Sequence, residues 1–177
     1  MASSSSALTQ WNNVSSWPLL LLAILIVDVV VMIISRHTQR FGRVLNIWYD
    51  RFGLSAVISD VFIIAIGFAI ARWVYTTWFS GAGLMWFLGI LVAVQAIHDI
   101  LFYLGVILPM PRGLNAMMDV FKDYSVENSW KIIVGDAGLM LASAGVFLGL
   151  EGLSAPIQVA VGLLTMYALP YALTTRS

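Results

Sequence analysis

Five stretches of this chain, 17–35, 55–79, 84–108, 129–150 and 155–174, are almost continuously apolar, and short polar connections separate them. Each holds about 20 residues, which at 1.5 Å per residue crosses the roughly 30 Å hydrocarbon core of a bilayer. The pattern predicts an all-α polytopic bundle of five transmembrane helices. Ser16 and Pro18 suit the start of the first, as cap and first-turn residue. No Lys or Arg precedes that span, and Arg36, Arg40 and Arg43 follow it. It reads as an uncleaved span preceded by a polar tail, 1–16, rather than as a secretion signal.

Composition agrees with the pattern. Of 177 residues, 60% are hydrophobic and 10% charged, with mean hydropathy +0.92, which makes a lipid bilayer the expected surroundings. The formal net charge is zero, so no electrostatic footprint for nucleic acid exists. With no cysteine there is neither a disulfide framework nor a thiolate metal site. Basic residues set the orientation. Arg36, Arg40, Arg43 and Arg51 lie in the first connection, Arg112 and Lys122 in the third, and Arg176 after the last span. The second and fourth connections hold none, which predicts an outside N-terminus and a cytoplasmic C-terminus. Arg72, late in the second span, is the exception, expected to snorkel outward beside Trp73 and Trp78. Trp48 and Tyr49 are expected at headgroup level.

The two basic connections resemble each other. RVLNIWYDRF, from Arg43, matches RGLNAMMDVF, from Arg112, at Arg43/Arg112, Leu45/Leu114, Asn46/Asn115, Asp50/Asp119 and Phe52/Phe121. Both copies join an odd span to the following even one. Each is followed by a small residue and an aspartate, Ser59-Asp60 and Gly135-Asp136, in the next span. The spacings from Asp50 to Asp60 and from Asp119 to Asp136 differ by seven positions, close to two helical turns. This pattern predicts a tandem repeat of two spans joined by a short amphipathic helix, 17–79 and 80–150, followed by a fifth span and tail, 151–177.

Each of the first four spans carries one aspartate: Asp28, Asp60, Asp99 and Asp136. All lie about five to nine residues from the cytoplasmic end of their span, roughly 8–14 Å deep. An Asp at a span's centre costs roughly 2.5–3.5 kcal/mol, and such residues face a bundle interior or a wet cavity. Gathered together, four carboxyls cannot all be ionised; they share protons or hold a cation. Separately, Asp28 could pair with an arginine of the first connection, Asp136 with Lys131, and Asp60 could cap its helix. In the third span Gln95, Asp99 and Tyr103 share a face and His98 lies about 100° away, which makes Gln95 and His98 candidate helpers of the site. Gly138, Ala142, Gly145 and Gly149 form a small-residue stripe suited to close packing with another helix.

Enzymatic motifs are missing: there is no phosphate loop and no nucleophile elbow, and His37 and His98 are the only histidines. Asp119 and Asp123 offer one DxxxD pair, which reads more simply as a solvated helix face. Nothing calls for a cofactor.

The segments WYDRFGLSAVISDVFIIAIGFAIAR, IHDILFY, PRGLNAMMDVFKDYS and GDAGLML, covering spans two to four, together resemble uncharacterised multi-pass membrane proteins of large DNA viruses of algae and protists. The resemblance implies a eukaryotic host and a viral internal membrane; it carries no activity and no site residues. Two functions are consistent with the sequence. One is a cation- or proton-conducting channel or transporter built on the four aspartates. The other is a structural or accessory membrane protein, virion-associated or part of a homo-oligomer or larger membrane assembly, whose aspartates fix helix packing. The charge distribution makes a direct prediction. Single cysteines at Ser5 and Gly81 will react with impermeant thiol reagents added outside, and one at Ser125 will not. Labelling of Ser125 with protection of Gly81 would reverse the orientation.

Overall fold

The computed structural model describes residues 6–38 and 40–175; Ser5 and Arg176 lie outside the described residues. Seven α-helices make up the described fold: α1 (Trp17–Thr38), α2 (Arg43–Phe52), α3 (Leu54–Trp78), α4 (Leu84–Phe102), α5 (Ala116–Asn128), α6 (Lys131–Glu151) and α7 (Ala155–Thr174). The five longest are apolar enough to cross a membrane, the first continuing from a 3₁₀ turn at Val14–Ser16 and the third ending in a π turn at Tyr103–Ile107. This is the multi-pass architecture that the hydropathy pattern predicts. α2 and α5 are the two amphipathic connections.

The long helices close a four-membered ring in the order α1, α3, α4, α6, with α2 and α5 packed against each other across one end. α7 lies outside the ring on α1. Exchanging α1, α2 and α3 for α4, α5 and α6 leaves the principal neighbour relations unchanged. Both connecting helices also end on the same backbone geometry. Gly53 after α2 has φ 51° and ψ −124°, and Ser129 after α5 has φ 51° and ψ −133°. The copies differ at their other end. α2 begins at Arg43, whereas in the second copy Arg112 to Leu114 form a turn and Asn115 caps α5, accepting from the Met117 and Met118 amides at 2.9 and 3.2 Å.

Five of the six matched polar side chains, and the backbone amide of the sixth, Arg43, are occupied in building the connections. Asn46 is buried and exchanges hydrogen bonds with Ser35, through its Oδ1 to the hydroxyl and its Nδ2 to the carbonyl. Asp50 pairs with the buried Arg36 at 2.5 Å, and Arg36 also donates to the Leu173 carbonyl of α7. Asp119 accepts from the Gly113 amide, while Arg112 meets Asp123 at 2.9 Å on the surface. Asp119 and Asp123 therefore do not work as a pair. The Arg43 and Val44 amides, which α2 itself cannot satisfy, both go to the Glu127 carboxylate of α5 at 3.0 and 2.9 Å. Gly42 is required beside that carboxylate: its φ is +91°, and a Cβ there would lie 2.5 Å from a Glu127 oxygen.

The small-residue stripe of α6 is corrected by the structure. Gly138, Ala142, Gly145 and Gly149 are all exposed, and nothing lies within 4 Å of a Cβ built on any of the three glycines. Their face is turned away from the ring because α6 buries Met140, Ser143, Ala144 and Phe147 instead.

The two corner residues set up a reciprocal prediction. A side chain at positive φ costs about 1–3 kcal/mol, against about 0.4–1 kcal/mol for the extra unfolded-state freedom of glycine. Ser129→Gly should therefore raise stability by about 1 kcal/mol. Gly53→Ala, with open space around its Cβ, should lower it by a similar amount through backbone strain alone. Thermal unfolding in detergent reads both; a destabilised Ser129→Gly would show that the corner is not strained.

Candidate functional site

The polar centre of the ring forms where each span contributes one acid. Asp28 of α1 is 3% exposed and accepts from the Tyr49 hydroxyl at 2.8 Å. Asp60 of α3 accepts from the indole Nε1 of Trp48 at 2.9 Å. Asp99 of α4 accepts from the Gln95 amide at 2.7 Å and lies 3.2 Å from His98 Nδ1. Asp136 of α6 is half-buried. The four are joined electrostatically: Asp60 feels the charges of Asp28 and Asp136, and Asp136 that of Asp99. These links run from α1 to α3, across the ring to α6, and from there to α4. Among the described residues, no three of His, Asp or Glu gather closely enough to hold a metal ion.

The basic partners considered from sequence are elsewhere. Arg36 goes to Asp50, no ion pair joins Lys131 to Asp136, and the Lys122 ammonium donates to the carbonyls of Ile107 and Leu108 at the end of the third span. Nor does Asp60 cap its helix, since its carboxylate is taken up by Trp48. Of the sequence-derived site residues, Gln95, His98 and Asp99 form one cluster, and the remaining acids reach it through Asp136. One oxygen each of Asp28 and Asp99 is buried without a hydrogen-bond partner.

Two residues expected at headgroup level are instead inside. Trp48 is 4% and Tyr49 2% exposed, because α2 turns its Asn46, Trp48 and Tyr49 side toward the ring. The Trp48 indole packs on Phe121 of α5, with ring centroids 4.8 Å apart. Phe121 meets Phe102 edge-on, and Phe102 stacks on His98. An aromatic seam thus runs from α2 to the histidine. Tyr124 of α5 is the second hydroxyl near the acids, its phenol raised by burial and then by the charges of Asp136, Asp60 and Glu127. Burial, then Asp28 and Asp60, holds the Tyr49 phenol well above the usual range. Both hydroxyls therefore keep their protons across the physiological range, and that of Tyr49 is a neutral donor to Asp28. One comes from each connecting helix. The i, i+3, i+4 apolar spacing of Leu45, Trp48, Tyr49 and Phe52 is the sequence signal that could have turned this face inward.

Arg72 is the other correction. It does not snorkel; it is fully buried. Its Nε donates to the Leu8 carbonyl at 2.8 Å and its Nη1 to the Ser16 hydroxyl at 3.2 Å, while the guanidinium lies 4.8 Å from the Trp17 ring. An arginine near a span's end is drawn inward only if acceptors wait there, and the N-terminal segment supplies them.

The chain thus has two polar centres, the acids at the end covered by α2 and α5, and Arg72 at the end covered by the N-terminal segment. Comparison of the chain with protein-family models, with curated proteins and with solved structures finds no match.

Proposed function

We propose that this chain is a proton- or cation-conducting channel or transporter, with Asp28, Asp60, Asp99 and Asp136 as its site and Gln95 and His98 assisting. One observation carries the reading. Four intramembrane acids lie within electrostatic reach of one another, and the hydrogen bonds to Asp28, Asp60 and Asp99 come from a phenol, an indole and an amide, with the His98 imidazole 3.2 Å from Asp99, rather than from lysine or arginine. Acids needed only for packing are normally neutralised by a buried base, which leaves nothing for a mobile charge to replace. Here the compensating positive charge is a proton or a cation from solution. The basic connections put this site in the cytoplasmic half of the membrane. A viral internal membrane is the setting that the resemblance of spans two to four suggests.

A second reading, that of a structural or accessory membrane protein, is favoured by one contact set. Trp48 and Tyr49 fasten a connecting helix to Asp60 and Asp28, as packing glue would. Interhelical hydrogen bonds in bilayers average about 0.6 kcal/mol, so the acids on this reading are modest fasteners.

Asparagine substitution separates the two. Asn keeps the shape and accepting oxygen of Asp and removes its charge. Asp99→Asn and Asp136→Asn should each abolish proton or cation flux in liposomes while changing stability by less than about 1 kcal/mol. Flux that persists in both stable mutants would defeat the transport reading. Absence of flux in the parent protein, with early melting of Asp28→Asn and Tyr49→Phe, would establish the structural one.

A further inference from the structure

The N-terminal segment is built into the fold at the end away from the acids. Arg72 lies on the order of 18 Å beyond Asp60 along α3, at 1.5 Å per residue. Leu8 is completely buried in the core, and Thr9 and Ser16 are 7% and 5% exposed. Three spans hold the segment. From α3 come the Arg72 bonds to Leu8 and Ser16, and the Thr76 hydroxyl, which donates to the Thr9 carbonyl and accepts from the Trp11 amide. From α6 comes Glu151, whose carboxylate takes the Ser6 hydroxyl and the Ala7 amide, each at 2.7 Å. From α1 comes the Trp17 ring against the guanidinium, with Phe147 of α6 on the other side at 5.8 Å.

We infer that the segment Ser6–Asn13 is a removable plug that shuts this end of the bundle, with Leu8 as the stopper and Arg72 and Glu151 as its holders. A buried guanidinium is costly unless acceptors meet it, and among the described residues Arg72 donates to Leu8 of the plug and to Ser16 at the start of the first span. One of its nitrogens, Nη2, has no partner even then. The holders are thus polar contacts at the rim of the ring, which water can replace once the segment lifts. A cleft of about 760 Å³ lies beside it, bounded by Thr9 and Trp11 on one side and by Tyr75, Ser80 and Gly81 on the other, and gives the segment room to move. For a conducting protein the plug would be the gate opposite the acid site; that role rests on the transport reading, whereas the closure itself does not.

The chain contains no cysteine, so thiol labelling tests the closure without any need for flux. Leu8→Cys should be inert to an impermeant thiol reagent in the folded protein, and should react at least ten-fold faster when Arg72→Gln or Glu151→Ala is added. Ser143→Cys, fully buried midway along α6, reports the interior. It should be unreactive in the full chain and at least ten-fold faster after deletion of residues 2–10. Ready labelling of Leu8→Cys in the parent, or an inert Ser143→Cys in a well-folded deletion variant, would overturn the proposal. Leu8→Ser stands in if the deletion aggregates; aggregation of both would also overturn it, since a plug is removable and a core residue is not. Opened variants that label as expected yet pass no ions would leave the plug in place and remove the transport reading.

Discussion

The Tyr49 hydroxyl bound to Asp28 decides how the connecting end of this molecule is organised. An apolar ring in lipid has no reason to draw in an amphipathic helix unless something in the ring needs its polar atoms, and an aspartate in the first span is such a need. Once α2 turns inward to supply the phenol, Trp48 arrives at Asp60 and Asn46 at Ser35 as consequences of the same helical face. The hydrogen bond gives direction more than strength. At about 0.6 kcal/mol for an average interhelical bond in a bilayer, it is matched or exceeded by one aromatic pair such as Trp48 on Phe121, worth about 0.5–1.5 kcal/mol. Polar chemistry selects the face; packing holds it there.

The same division explains what the sequence could disclose. Spans one to five were legible because twenty apolar residues in a row admit few other readings, and α7 occupies the range that the pattern predicts, Ala155–Thr174. The aspartates were legible as intramembrane acids because four spans each contained one. Their partners were not. Trp and Tyr beside a charged loop serve equally well as an interfacial belt or as donors to a buried acid, and only the packing of α2 on the ring distinguishes the two. Arg72 was misread for a related reason. Its acceptors, Leu8 and Ser16, lie 64 and 56 positions away, in a tail whose polarity resembles that of any solvated terminus. The α6 stripe shows the converse: small residues permit close approach without requiring it, and here α6 turns Met140, Ser143, Ala144 and Phe147 inward instead.

The likenesses and differences between α1–α3 and α4–α6 bear on how the acids are arranged. Neighbour relations and corner geometry are shared by the two halves, yet the partners of the acids are not. In the first half, Asp28 and Asp60 are held by aromatic donors of α2, and Arg36 ties that connection onward to α7. In the second half, Met117 and Met118 stand at the positions of Trp48 and Tyr49, and neither can donate a side-chain hydrogen bond to an acid. Asp99 instead takes a hydrogen bond from Gln95 of its own helix and lies beside His98, and Asp136 is within electrostatic reach of Asp99.

That difference follows from α7. A fifth helix on one side of a four-membered ring can be received by only one of the two halves, and it is received at α1, where Leu173 accepts from Arg36. Arg36 then takes Asp50 and fixes α2 from outside while Tyr49 and Trp48 fix it from within. No such outer contact reaches α5, whose fastenings run to the α4 end through Lys122 and to the α2 start through Glu127. Of the two acid pairs, Asp99 and Asp136 form the one that takes no side-chain hydrogen bond from a connecting helix among the described contacts, and His98 stands beside it.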